Sequence, residues 1–189
     1  MIKIGILGDI GSGKSYVAQN FGYPVFNADH EVAKLYQQNK NVFKNLKKKL
    51  PKYIHSFPIE KKEISNAILG NKRNLNKIVK IVHVEIKKKM NIFLKKNKNN
   101  KIVILDIPLL LENKINNKKD ILVYVQSRKQ NILQRLKKRK NFNGKLLKIF
   151  KGIQYPVNYK KKKSNFIIKN NFTKKSVNDG IKNILKEIV

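Results

Sequence analysis

The sequence predicts an α/β fold in which a five-stranded parallel sheet is flanked by helices on both faces. Five short, mostly apolar segments recur along the 189 residues, and stretches of helical periodicity lie between them. Apolar segments of this length are typical of buried parallel strands, and their alternation with helices is typical of a sheet covered on both sides. The predicted strands cover 2–7, 24–26, 102–105, 121–125 and 166–168.

The helices between these strands are predicted from apolar spacing. The longest covers 71–96, where apolar residues recur near the helical period at Leu75, Ile78, Val79, Val82, Ile86, Met90 and Phe93. Shorter helices are expected from Lys14 to Phe21 and from Asp29 to about Gln37. Residues 40–57 show no clear preference.

Several residues mark expected helix ends. Pro58 suits a helix start and Gly70 a helix stop. Ser127 is expected to cap a helix that runs to about Lys140, and Thr173 is expected to cap the C-terminal helix. No linker between independent domains is evident, so residues 1–189 are expected to form a single domain.

The formal net charge of +33 is extreme, and the type of cation bears on its meaning. Only Arg73, Arg128, Arg135 and Arg139 are arginine, and the other 40 cations are lysine. Arginine is the better bidentate reader of phosphates and base edges. We therefore expect a drift in composition on solvated surface rather than a specific nucleic-acid site, although a functional basic surface stays open.

Other features of composition favour a cytoplasmic protein. The sequence has no cysteine, which excludes disulfides and thiolate metal sites. No apolar run approaches the roughly 18 residues that span a membrane. The apolar start is too short for a signal peptide. We expect no membrane partner and either a monomer or a weak homo-oligomer.

A glycine-rich loop carries the clearest chemical signal. The residues Gly8, Asp9, Ile10, Gly11, Ser12, Gly13, Lys14 and Ser15 match the phosphate-binding pattern G-x-x-x-x-G-K-[ST]. Glycines let backbone N–H groups turn toward phosphate oxygens, and the next helix presents its positive end to the same anion. Lys14 can reach the β- and γ-phosphates, and the Ser15 hydroxyl can bind Mg²⁺. The sequence therefore predicts a site for a nucleoside triphosphate, although the motif alone does not name the reaction.

Two further features bear on the reaction class. Asn117 to Asp120 fits the guanine-reading pattern N-K-x-D, but it precedes a strand instead of following one, which argues against a GTPase. Asp29 follows the second strand, at the end where parallel sheets bind ligands. It can accept a proton from a hydroxyl nucleophile, or it can simply cap the next helix.

Several blocks in the right order resemble the dephospho-CoA kinase family, and together they span nearly the whole chain. The nucleotide loop is preceded by Gly5-Ile6-Leu7, and the second strand ends in Asn27-Ala28-Asp29, which resembles the family's Asp-Ala-Asp. Further blocks are the helix 75–86 with Val82-His83, the segment 105–112 with Pro108-Leu109-Leu110-Leu111-Glu112, the lid stretch 130–139, Gln154, and 165–170.

The resemblance implies a P-loop kinase that uses ATP and Mg²⁺ to phosphorylate the 3′-hydroxyl of the ribose of dephospho-CoA. A helical substrate domain would be inserted at about 40–96, and a lid would cover about 127–158. The resemblance assigns the general base to Asp29 and ATP-phosphate contacts to Arg139. Arg135, four residues earlier, can share one helix face with it, and Tyr16 extends the nucleotide loop.

The resemblance also suggests substrate-side residues, each with an ordinary alternative. His83 contacts substrate or simply packs on its helix. Asp106 orients the Mg²⁺ shell or caps a strand end. Glu112 orients substrate or pairs with one of the many lysines.

This chain departs from the family pattern at a few positions, and two rival functions stay open. Asn27 replaces an aspartate, Tyr16 a threonine, Val84 a proline, and Ser164-Asn165 an Ala-Asp pair. None removes Lys14 or Asp29. The alternatives are a P-loop kinase for another small molecule, such as a nucleoside monophosphate, and a lysine-rich nucleic-acid-binding ATPase.

Overall fold

The computed structural model describes residues 1–139 and 142–189, and it confirms the predicted fold class. Five parallel strands form one sheet in the order β2-β3-β1-β4-β5. The strands are β1 Ile2–Gly8, β2 Val25–Asn27, β3 Ile102–Asp106, β4 Ile121–Gln126 and β5 Phe166–Lys169. Because all are parallel, their carboxyl ends meet at one edge of the sheet.

The sheet belongs to a compact unit made of Met1–Asn27, Asn97–Phe142 and Ile153–Val189. Its helices are α1 Lys14–Asn20, α6 Lys129–Lys137, α8 Val157–Lys163 and α9 Lys174–Ile188. The strands contribute Ile4, Ile6, Ile102, Ile104, Val123, Val125 and Ile168 to the core, and α1 and α9 contribute Val17, Ala18, Val177, Ile181 and Ile184. Burial of these aliphatic side chains fixes the strand ends that carry the polar residues of the site.

A second compact unit contains Ala28–Lys96 and Asn143–Gly152. Its helices are α2 Ala28–Gln38, α3 Lys40–Lys49, α4 Lys61–Gly70, α5 Arg73–Lys96 and α7 Gly144–Gly152. The long helix α5 contacts α2, α3 and α4, and it buries the apolar stripe expected from the sequence, including Leu75, Ile78, Val82 and Ile86. The proposed roles of residues 40–96 as a substrate domain and 127–158 as a lid stay predictions.

Some expected helix ends were correct. Gly70 ends α4, and the Thr173 hydroxyl accepts a hydrogen bond from the Ser176 backbone N–H at the start of α9. The ambiguous stretch 40–57 contains α3, whose cap Asn39 accepts from the Val42 N–H at 2.9 Å.

Two expected helix starts were wrong. Helix α4 begins at Lys61, where Glu60 and Glu63 form a capping box, and not at Pro58. Helix α6 has Arg128, and not Ser127, at its cap position and no side-chain cap, and the Ser127 hydroxyl donates to the Ser12 carbonyl. The expected end near Lys140 lies outside the described residues, and α6 ends at Lys137. Among the described residues, no helix is both long and apolar enough to cross a membrane.

Candidate active site

The glycine-rich loop lies between the end of β1 and the start of α1. Three of its glycines have positive φ angles, 150° at Gly8, 87° at Gly11 and 91° at Gly13, which L side chains rarely adopt. A Cβ at Gly11 would lie 3.0 Å from Leu136, so helix α6 packs closely on the loop. The loop therefore has the backbone conformation and close packing for which its glycines are needed.

Lys14 lies at the first position of α1 and points its ammonium back over the loop. Its Nζ donates to the carbonyl oxygens of Gly8, at 3.1 Å, and Asp9, at 2.9 Å. Phosphate oxygens are stronger acceptors for an ammonium than neutral carbonyls are. The side chain is thus positioned to bind an anion that enters the loop.

A polar cluster of Ser15, Asn27 and Asp106 lies at the carboxyl ends of β2 and β3 and the start of α1. The strand register aligns Asn27 with Asp106, and the Asn27 Nδ2 donates to an Asp106 carboxylate oxygen at 2.7 Å. Asp106 is only 3% exposed, and its burial raises the pKa of its carboxyl group. That rise in pKa is opposed by a hydrogen bond from Ser15, by the positive charge of Lys14 and by the hydrogen bond from the Asn27 amide. Mg²⁺ binds oxygen ligands, so a hydroxyl and a carboxylate that lie side by side can bind it together with phosphate oxygens.

No group of three or more acidic or histidine side chains within residues 1–139 and 142–189 is arranged to hold a metal ion.

Glu112 is held by partners from a distant part of the chain. Its Oε1 accepts from the Tyr155 backbone N–H at 2.8 Å and lies 3.6 Å from the Nζ of Lys160. The same Nζ donates to the Gln154 side-chain oxygen at 2.8 Å. Lys160 is only 3% exposed. Glu112 therefore pairs with a lysine, which was one of the two expectations for it.

These side chains also border a small cavity beside the glycine-rich loop. The cavity is lined by Ile6, Leu7, Gly8, Lys14, Ile107, Pro108, Leu109, Leu110, Glu112, Gln154 and Lys160. Leu109 has a positive φ of 60°, an uncommon conformation for a leucine. Glu112, at the end of the Pro-Leu-Leu segment, and Lys14, at the start of α1, thus line the same cavity.

Arg135 and Arg139, the two arginines in the stretch predicted as a lid, differ in their surroundings. The Arg135 guanidinium on α6 lies 4.4 Å from the centre of the Phe172 ring, a cation–π contact. Arg139 is exposed and follows the end of α6, so the two arginines do not share one helix as expected. For both arginines to lie on one helix face, α6 would have to extend to Arg139, but it ends at Lys137.

Three other predicted residues are exposed or half-buried. Tyr16 is 42% exposed on α1. In the helical unit, Asp29 is the second residue of α2 and is exposed, and His83 is half-buried on α5. Asp29 thus lies inside the first helical turn, two residues beyond β2, and does not precede the helix as a cap would.

Sequence reasoning missed two residues that contact the loop. Ser127 follows β4 and Asn170 follows β5, and the side chains of both donate to the Ser12 carbonyl oxygen at 2.9 Å. Their positions two residues after the predicted strands 121–125 and 166–168 are a usable signal. The expectation that Ser127 caps a helix was therefore wrong.

Comparisons with known proteins bear on the family and the fold of this chain. A family model described as dephospho-CoA kinase matches residues 2–176. A dephospho-CoA kinase from Wolbachia sp. subsp. Brugia malayi is 32% identical over 98% of this chain and 97% of its own length. One from Rickettsia felis is 32% identical over 89% of this chain and 87% of its own.

Solved structures share the fold. The Thermus thermophilus protein TT1252 aligns with a TM-score of 0.77 at 23% identity, over 100% of this chain and 98% of its own. A dephospho-CoA kinase from Campylobacter jejuni aligns with a TM-score of 0.61 at 21% identity, over 98% and 96%.

Proposed function

Because this chain belongs to the dephospho-CoA kinase family, we propose that it transfers the γ-phosphoryl group of ATP to the 3′-hydroxyl of the ribose of dephospho-CoA, giving coenzyme A and ADP. The observation that carries the proposal is the glycine-rich loop with Asp106 and Ser15 hydrogen-bonded beside Lys14, in a chain that matches the family over residues 2–176. The reaction is a phosphoryl transfer to an alcohol, for which positioning and charge stabilisation supply most of the catalysis.

The ATP half of the site consists of Gly8 to Ser15 with Tyr16 at its border. The loop amides bind phosphate oxygens, and Lys14 gives up its carbonyl partners to bind the β- and γ-phosphates. The Ser15 hydroxyl and the Asp106 carboxylate would hold Mg²⁺, which neutralises phosphate charge when bound. Asn27 keeps one Asp106 oxygen fixed by its hydrogen bond.

The acceptor half of the site depends on Asp29. Its carboxylate accepts the proton of the 3′-hydroxyl as that oxygen attacks phosphorus. Arg139 and Arg135 stabilise the negative charge that develops on the transferred group. His83 and Glu112 act on the substrate side, and the ion pair with Lys160 gives Glu112 a fixed position from which to do so. The small-molecule substrate requires no macromolecular partner, and the cytoplasmic location and weak or absent self-association remain predictions.

The test compares acceptors and variants of the purified protein. We expect ADP release with dephospho-CoA to exceed release with AMP, CMP or UMP, and mass spectrometry to find one added phosphate on the 3′-oxygen. Asp29→Asn should lower kcat by about 10²–10⁴-fold, the usual contribution of a general base. Glu187→Gln, an exposed change on α9, is the matched control. Better use of a nucleoside monophosphate than of dephospho-CoA would overturn the assigned substrate. Full activity of Asp29→Asn would overturn the assignment of Asp29 as the general base.

A further inference from the structure

We propose that Asn170 and Ser127 are positioning residues that together hold the Ser12 carbonyl and thereby aim the Gly13 amide at the nucleotide phosphates. The proposal rests on the proposed function, because it assumes that the glycine-rich loop binds ATP. It concerns two side chains that follow neighbouring strands and that have no assigned part in the phosphate-binding motif.

The two donors come from matching places in the sheet. Ser127 is the first residue after β4, and Asn170 is the first residue after β5. These strands are parallel neighbours, with Gln126 aligned to Lys169. The Ser127 Oγ and the Asn170 Nδ2 each donate to the Ser12 carbonyl oxygen at 2.9 Å. A carbonyl oxygen has two lone pairs, so this pair of donors satisfies both of them.

The direction of one carbonyl fixes the direction of one amide. The Ser12 C=O and the Gly13 N–H belong to the same planar trans peptide, in which they point in opposite directions. With the carbonyl held toward the ends of β4 and β5, the Gly13 N–H points away from them. If this peptide were flipped, its carbonyl oxygen would face the phosphates and repel them.

Asn170 is built into the molecule tightly enough to do this. It is 3% exposed, its backbone N–H donates to the Gln126 carbonyl at 2.8 Å, and its Oδ1 accepts from the Phe172 N–H at 2.8 Å. The amide orientation is thus specified from both ends. A Cβ at Gly13 would lie 2.5 Å from the Asn170 Nδ2, so the glycine leaves room for this contact.

The burial of Asn170 also explains why an amide is needed. An aspartate there could still accept from the Phe172 N–H, but it would place a carboxylate oxygen against the Ser12 carbonyl. The substitution Asn170→Asp therefore removes the donor with little change of shape, and it adds negative charge beside a phosphate site. Ser127→Ala removes the other donor, and Ser127→Thr retains it.

The experiment measures ATP binding directly, by calorimetric titration without acceptor, so it does not depend on turnover of dephospho-CoA. Ser127→Ala should weaken ATP binding about fivefold, the factor that corresponds to one neutral hydrogen bond, and Asn170→Asp should weaken it more than about tenfold. The double variant should lose more than the product of the two, because the carbonyl then has neither donor. Ser127→Thr should bind ATP as the wild type does.

Steady-state kinetics and a stability control separate positioning from general damage. The loss should appear in the KM for ATP, with kcat and the KM for dephospho-CoA little changed. Thr173→Ala removes the cap of α9, three residues from Asn170, and should lower the melting temperature without weakening ATP binding.

Three results would overturn the inference. They are ATP affinity within twofold of wild type for a folded Asn170→Asp, an equal loss of affinity in Thr173→Ala, and a loss confined to kcat or to the second substrate. Wild-type protein that binds no ATP would overturn both this inference and the proposed function, whereas ATP binding without phosphorylation of dephospho-CoA would overturn the proposed function alone.

Discussion

At the scale of single residues, Asp106 shows how burial and function conflict. Its carboxyl group is almost inaccessible to water, so the ionised form is costly, and its pKa is raised despite Ser15, Lys14 and Asn27. A raised pKa means that the folded state binds the proton more tightly than the unfolded state does. The stability of the wild type therefore falls as the pH rises from the unfolded toward the folded pKa.

Asp106→Asn should stabilise the protein while it lowers activity. The amide needs no ionisation, so the variant should melt higher than the wild type at neutral pH. The difference should shrink as the pH falls below the folded pKa, where the wild-type carboxyl is also neutral. Thermal melting from pH 3 to 8, with kcat at pH 7.5, measures both. Asp179→Asn on the exposed face of α9 is the control. A variant that is less stable at neutral pH would contradict the argument.

The same cluster shows what the sequence can and cannot predict for a site. The motif identified the loop, Lys14 and Ser15, because their chemistry depends on local spacing. From the sequence alone, Asn27 indicates only the loss of one negative charge. Its hydrogen bond to Asp106 depends on the register between β2 and β3. The end of β2 at Asn27 and the start of β3 at Ile102 are 75 residues apart in the sequence, and no local pattern predicts how the two strands align.

At the scale of elements, Lys160 joins α8 to the Pro108–Glu112 segment. Four lysines occupy 160–163, and the sequence cannot distinguish them. The helix selects Lys160 because only this position of the four is buried, and its ammonium is paired with Glu112 and Gln154. Pairing partners of this kind depend on tertiary packing, so the expectation for Glu112 could not choose between substrate and lysine.

Lys160→Met should be strongly destabilising, because it leaves the Glu112 carboxylate buried without its cation. Side-chain exposure is 4% for Lys160 and 10% for Glu112. Loss of one partner from a buried pair costs about 3–5 kcal/mol. Urea unfolding measures this, with Lys162→Met, an exposed change on the same helix, as the control.

A double variant tests whether charge is the cause. Lys160→Met with Glu112→Gln removes both charges, so it should recover part of the stability lost in Lys160→Met. Equal losses in the single and double variants would assign the effect to packing of the lysine stem instead.

At the scale of the whole molecule, the fold could be predicted because its signals are local. Five apolar segments and the stripe of α5 depend on neighbours within a few residues. The chain segments that make up the helical unit could not be predicted in the same way. It combines Ala28–Lys96 with Asn143–Gly152, and α7 contacts α4, which lies more than 70 residues earlier in the sequence.

The charge of the molecule gives a last prediction. Among the described lysines only Lys160 is buried, so the +33 charge lies largely on accessible surface. Such a surface should bind polyanions without sequence preference. We expect two unrelated DNA duplexes of equal length to bind equally, by fluorescence anisotropy, and to lose about 10³-fold or more in affinity from 50 to 200 mM salt. DNA should inhibit the kinase reaction only at the lower salt concentration, because release of condensed counterions drives this binding. A preferred sequence that still binds at 200 mM salt would instead favour a specific nucleic-acid function, since direct base contacts depend less on salt than phosphate contacts do.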